Sequence, residues 1–199
     1  MANQADICNL AIARIGEREF ISNIDEDTGT ARACKVLYTN ALEVQLASFH
    51  WPFAKKSAVL TAADVADRED WGYTYQLPSD CLIVRHIWSG SRTPDASARV
   101  PFELELDADS YGRVLLTDMA SAQIVYTKRL TTAVNFPPLF VDALAWRLAS
   151  ELAMTVANRP DLAVRAAQAA ELAFSRATAS ALNETSELQP ESEFITARR

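Results

Sequence analysis

The chain has 199 residues, 49% of them apolar and 23% charged, with a formal net charge of −7, which is enough apolar mass for a real core in one large domain or two small ones. The acidic balance argues against a nucleic-acid grip: phosphate contacts need clustered Lys and Arg, and here the basic residues are scattered, with pairs as the longest runs. No apolar run approaches the ~20 residues of a membrane span, the opening MANQADICNL lacks the basic start and apolar core of a signal peptide, and three cysteines without a C-x-x-C spacing read as reduced thiols in a cytosol.

The first element is a helix over 5–15, in which Cys8, Ala11, Ile12 and Ile15 recur at three- and four-residue steps. Gly16 offers its stop, because glycine tolerates a left-handed backbone. After the polar connector SNIDEDTGT, Asp27 or Thr28 can cap a second helix over about 30–49. Its buried stripe is Ala31, Cys34, Leu37, Tyr38, Ala41 and Leu42; Cys8 and Cys34 lie on apolar faces and read as core. Pro52 disfavours helix at Trp51 and removes a backbone donor, so the helix should end near His50 and the chain become extended over 55–60.

The middle of the chain changes period. GYTYQLP is a short strand candidate, LIVRHIW (82–88) and QIVYTKR (123–129) are rich in β-formers, and PFELEL (101–106) alternates. Phe102, Leu104 and Leu106 are expected to form the buried side of that last strand, with Glu103 and Glu105 outward. Turn signals at Ser89-Gly90, Thr93-Pro94 and Tyr111-Gly112 separate these runs, so 55–133 reads as a small antiparallel β unit.

Helical spacing returns after NFPP, where Pro137 and Pro138 suit a helix start. Val141, Leu144, Ala145, Leu148, Leu152 and Val156 make one face of the third helix, and Asn158-Arg159-Pro160 breaks the run. A fourth helix carries Ala163, Ala166, Ala170, Ala173, Phe174 and Ala177, small residues that let a neighbour approach closely. The polar stretch 183–199 loses the period and reads as a flexible arm. The expected architecture is α+β. Residues 1–54 and 134–182 form a four-helix bundle, 55–133 an inserted small antiparallel β domain, and 183–199 an extended C-terminal tail.

No catalytic constellation is present. The two histidines, His50 and His86, have no Cys, His or Asp at zinc-ligand spacing, and no nucleophile elbow or glycine-rich phosphate loop occurs. Neither a catalytic residue, a metal nor a cofactor is therefore assigned. DADSYGRVLLTD resembles part of a calcium loop, with Asp107, Asp109, Gly112, Val114 and Asp118 at loop positions. Tyr111 displaces one ligand, however, and the preceding segment alternates as a strand, which favours a hairpin with Gly112 at its tight position. The stretch SFHWPFAKK has two readings. Trp51 and Phe53 form a hydrophobic hinge pinning the helix end to the β unit, or an aromatic platform for a partner with Lys55 and Lys56 supplying charge; a helix-to-strand junction favours the hinge.

Taken together, ICNLAIARIGE, ARACKVLYTNALEVQLASFHWPFAKK, WGYTYQLPSDCL, LLTD, VYTK and FPPLFVDALAWRLASELA, in that order, resemble the tail tubular protein A family, the head-to-tail adaptors of short-tailed bacteriophages. The similarity spans about residues 7–182; its more specific parts are WPFA, YxYxLPxDC and FPPxFxxALxxxLA. The resemblance implies a virion protein without enzymatic activity, assembled in the host cytoplasm. It implies a dodecameric ring of copies that meets the portal protein above and the tail nozzle protein below, with DNA passing through the lumen unbound. In that setting the arm carrying Phe194, Ile195, Arg198 and Arg199 is the candidate for portal docking, and no membrane is involved. Outside the resemblance, the residues leave open a cytosolic α+β module holding calcium or a small ligand between Asp107 and Asp118.

Overall fold

In chain order the protein has helix α1 (Gln4–Arg14), helix α2 (Gly29–Ser48), a 3₁₀ turn (Pro52–Ala54) and seven strands among the described residues: β1 (Lys55–Val59), β2 (Thr61–Ala62), β3 (Tyr73–Gln76), β4 (Cys81–Ile87), β5 (Glu103–Leu106), β6 (Arg113–Thr117) and β7 (Gln123–Lys128). Helices α3 (Pro138–Thr155) and α4 (Pro160–Asn183) follow, making the fold α+β. The computed structural model describes residues 3–63, 70–90, 99–106 and 112–184.

Local chemistry sets the helix ends. Asn3 and Asp6 form a capping box at the start of α1: the Asn3 Oδ1 accepts from the Asp6 N–H at 2.8 Å and the Asp6 carboxylate from the Asn3 N–H at 2.9 Å. At its other end Gly16 takes φ +82°, and the Gly16 and Glu17 N–H groups return to the Ala13 and Ile12 carbonyls. This is the Schellman closure, which satisfies carbonyls that the helix cannot. The connector is then held by Asn9, whose side chain both donates to and accepts from the Ile21 backbone at 2.8 and 2.9 Å. Of the two expected caps for α2, Thr28 takes the role, its Oγ1 accepting from the Ala31 N–H. Asn158, at φ +50°, makes the sharp reversal between α3 and α4.

Helix α3 buries residues on more than one side, among them Phe140, Val141, Leu144, Leu148 and Leu152, because it packs against α1, α2 and α4. Its pairing with α4 is the most extensive in the molecule. Ala166, Ala173, Ala177 and Ala181 supply the small face that permits that approach. Arg14 ties α1 to the same helix: its guanidinium pairs with the Asp142 carboxylate, donates to the Asp142 carbonyl and lies 4.3 Å from the Trp146 ring centroid.

The strands form two antiparallel sheets, one ordered β1-β7-β4 and the other β2-β3-β6-β5. One hydrophobic cluster draws on all four helices together with Trp51, Ala54, Ala133 and Phe136. A second, including Leu60, Tyr75, Val84, Leu115, Ile124 and Tyr126, lies within the sheets. Strand β4 breaks register twice against β7, between Cys81 and Ile83 and between Val84 and His86. Leu82 and Arg85 are thus bulge residues, and a bulge re-aims the side chain it carries. Leu82 packs against the helical cluster rather than the sheet cluster.

One expectation is corrected. The strand at PFELEL exists, but only Phe102 packs against the sheet cluster; Leu104 is 38% and Leu106 76% exposed. Strand β5 is the last in its sheet, so no further strand flanks it there among the described residues, and the alternation of letters carries no matching burial. Its pairing with β6, Leu106 opposite Arg113, gives the two arms of the expected hairpin; its turn at 107–111 lies outside the described residues.

Two glycine substitutions should move stability in opposite directions. A Cβ at Gly16 or Gly29 meets no atom within 4 Å, so backbone geometry alone decides. Gly16→Ala forces a left-handed residue and should cost about 1–2 kcal/mol, whereas Gly29→Ala, at the start of α2 without positive φ, should gain about 0.5 kcal/mol. Urea denaturation midpoints check both.

Candidate functional site

The segments that stand out in the sequence converge on three contact nodes. The first is aromatic. Trp51 is only 1% exposed, and its indole N–H donates to the Gln45 carbonyl at 2.8 Å. Its ring meets Phe140 edge-on at 4.9 Å, Phe49 at 5.1 Å and Phe174 at 5.9 Å. Phe53 adds contacts to Phe140 at 4.8 Å and Phe136 at 5.8 Å. WPF and FPPLF, far apart in sequence, are therefore one packed unit joining the α2 exit to the α3 entrance. Edge-to-face geometry of this kind adds to the area term of burial.

The second node is the joint between α2 and the three-stranded sheet. Arg85, on its bulge, donates from Nε to Thr127 Oγ1 at 2.8 Å and from Nη2 to the carbonyls of Leu46, Ala47 and Phe49 at 3.1, 3.2 and 2.6 Å. The Leu46 and Ala47 oxygens are orphan carbonyls of the last helical turn, Phe49 is the residue just past it, and α2 has no basic residue of its own there. The guanidinium supplies both the donors and the positive charge that a helix C-terminus favours. Beside it, His50 and His86 approach edge-on with ring centroids 6.3 Å apart. His50 Nε2 is buried with no hydrogen-bond partner among the described residues. Burial, then Arg85, Lys55 and His86, hold its pKa down at about 4. Burial and neighbouring cations push His86 down as well. Two bases that lie apart in the sequence thus form one neutral pair, and among the described residues no carboxylate is one of the groups that shift their pKa.

Asp80 centres the third node. Its carboxylate accepts from Lys56 Nζ and from the Tyr126 hydroxyl, both at 2.8 Å, with Lys128 Nζ at 4.0 Å. The Lys56 bond is the main cause that holds its pKa below the usual carboxylate range. WPFAKK, LPSDC and VYTK thereby meet through one acid. A smaller link joins WGY to LLTD, where the Asp118 carboxylate accepts from the Gly72 N–H at 3.0 Å.

Lys56 therefore has a partner within the chain, while Lys55 is exposed on β1. Trp51 is shut inside the aromatic node and Phe53 is half-buried at its edge. The arm residues Phe194, Ile195, Arg198 and Arg199, and the loop acids Asp107 and Asp109, lie outside the described residues. Val114 belongs to β6, and Asp118 follows its far end. Five extended residues span ~17 Å, which sets Asp118 well away from Gly112, unlike a loop wrapped around one ion.

Between the sheets lies a cleft of about 450 Å³, lined in part by Gln76, Ser79, Cys81, Arg113 and Arg129. Its two cations are already engaged. Arg113 donates to the Cys81 and Leu82 carbonyls at 2.5 and 3.3 Å, and Arg129 pairs with Glu43 at 2.9 Å. Burial raises the Cys81 thiol pKa, the opposite of what a nucleophile needs. Among the described residues no group of three or more His, Cys, Asp or Glu is placed to hold a metal ion. All three cysteines are free and buried. No helix of the described residues is long and apolar enough to cross a membrane. The chain matches no model of a known protein family and no curated protein sequence.

Nothing in the motifs or spacing of the sequence marks Arg85, Asp80, Tyr126 or Phe174 as site residues. The one available signal was Arg85 itself, a cation inside the otherwise apolar run LIV and IW. Arg85→Met should lower the unfolding free energy by about 2–3 kcal/mol in urea titrations; Arg85→Lys should recover only part of it, having a point charge in place of the fork. Acid should act through His50. As pH falls from 6.5 toward 4 the unfolded chain takes up a proton that the folded His50 refuses. The stabilisation from its neutral form is complete above that window and is lost going down through it. Thermal melts at pH 7 and 4.5 should show a smaller acid-induced fall in Tm for His50→Gln than for the unaltered protein; equal falls would remove His50 from the account.

Proposed function

We propose that this chain is a structural head-to-tail adaptor of the tail tubular protein A kind, one copy of a ring between the portal and the tail nozzle of a short-tailed phage. The observation that carries the reading is the convergence of the resembling segments. WPFA packs on FPPLF through Trp51, Phe53, Phe136 and Phe140, and WPFAKK, LPSDC and VYTK share Asp80. Residues that hold a scaffold together suit a protein whose work is done by its surfaces rather than by a reaction centre.

In this reading the four helices form a bundle that is the rigid wall of the ring, and the β unit of 55–133 projects toward the nozzle protein. Neighbouring copies meet head to tail, one face of each against a different face of the next, as any closed heterologous ring requires. A dodecamer would match the sequence resemblance. The arm carrying Phe194, Ile195, Arg198 and Arg199 docks on the portal. Ordering it costs roughly 1–2 kcal/mol per residue, against about 1.5–3 kcal/mol for burying each large apolar side chain. Strand pairing and repetition around the ring are what make such an arm hold. The net charge of −7 suits a conduit: carboxylates facing the lumen repel phosphate within a Debye length of about 8 Å in physiological salt.

Native mass spectrometry and negative-stain electron microscopy of the protein, alone and mixed with a purified short-tailed-phage portal, test this. A collar of many copies on the portal is expected, with residues 183–199 better protected from protease in the mixture than in the protein alone. Absence of any complex at micromolar concentrations would overturn the adaptor reading.

A further inference from the structure

The aromatic node leaves one space beside it unfilled. A pocket of about 170 Å³ opens between the first turn of α3 and the end of α4. Trp51, Phe53 and Phe140 form part of its wall, with Leu139 and Ala181 contributing, and Glu184 is among the lining residues. Leu139 is exposed and Phe53 only half-buried, so apolar surface remains uncovered around the node. Glu184 is also the last described residue, so the chain departs from the pocket's own lining, and fifteen residues, 185–199, follow it.

We propose that this pocket is the seat of Phe194 of the same chain, a resting place for the C-terminal arm. Aromatic walls that already meet one another edge to face accept another ring in the same way, and Phe194 is the one aromatic residue of 185–199. The ten residue steps from Glu184 allow up to ~33 Å of extended chain, ample for a path that leaves the helix, reverses and returns. Leu188, four steps past Glu184, has little slack for that reversal. Tethering by a short linker gives an effective concentration on the order of millimolar. The same chain therefore outcompetes a second copy present at micromolar concentration.

The seat does not depend on the adaptor reading. Were that reading also correct, the same side chain would rest here until a partner drew it away. A single ring in a small pocket is a hold that such a partner can displace.

Full-length protein labelled for NMR provides the test, without any portal. Phe194→Ala should shift the amide signals of Leu139, Ser180 and Ala181 and the methyl signals of Leu139 and Ala181 while leaving those of the two sheets in place. A synthetic peptide of residues 191–199, added at millimolar concentration to the Phe194→Ala protein, should restore those signals; the same peptide with alanine at 194 should not. Ser180→Leu, which grows a side chain into the pocket, should instead release the arm and change the Phe194 ring signals. Unchanged pocket signals in Phe194→Ala would overturn the proposal. Pocket signals that move on tenfold dilution of the unaltered protein would overturn the same-chain assignment in favour of a second copy. Both outcomes are read without portal, so neither is confused with a failure of portal binding.

Discussion

The end of α2 is finished by a residue that does not belong to it. A helix leaves its last carbonyls without partners, and α2 has neither a glycine cap nor a basic residue in its final turn. Arg85 reaches across from β4 to the Leu46 and Ala47 carbonyls of that turn and to the Phe49 carbonyl just past it, and its Nε holds Thr127 of β7. The helix-to-sheet joint, the position of His50 and the path into Pro52 all follow from that contact. It exists because β4 is bulged: in unbroken register against β7 the residue at 85 would occupy a ladder position, and the bulge turns it instead toward the helices. Leu82, at the other bulge, faces the same way and adds apolar contact where Arg85 adds polar contact.

The aromatic node completes the joint on the other side. Trp51 is the residue at which α2, the entry to the sheets, α3 and α4 come within contact of one another, through Phe49, Phe53, Phe140 and Phe174. Hydrophobic burial supplies the larger part of such a contact, and ring geometry makes it specific. Asp80 serves the same purpose with charge, collecting Lys56 and Tyr126 from two adjacent strands. Partly exposed ion pairs of this sort contribute modestly to stability; the tyrosine bond gives the acid a fixed orientation that a pair of flexible side chains lacks. The marked letters of this sequence thus hold the helices and the sheets to one another.

Periodicity made most elements legible. Cys8, Ala11 and Ile12 are buried on α1 as their spacing requires, Gly16 closes that helix, Thr28 opens the next, and Ala166, Ala173 and Ala177 of α4 are buried. The β-rich runs at 82–88 and 123–129 are the strands β4 (Cys81–Ile87) and β7 (Gln123–Lys128). By contrast β6, hidden in a run that resembled a calcium loop, emerges as a central strand paired on both sides, with Val114, Leu115 and Leu116 buried. Leu104 and Leu106 alternate with acids as a half-buried strand should, yet lie exposed.

What the sequence determined by itself was where the chain is helical, where it is extended and where it turns, because caps, prolines, glycines and apolar spacing act over a few residues. The tertiary structure alone decided which of those elements cover one another. The bulges that aim Leu82 and Arg85, the meeting of His50 with His86, and the loss of cover over β5 depend on partners dozens of residues away. Hydrogen-bond register and burial are properties of pairs of segments; a single segment read alone carries no record of its partner.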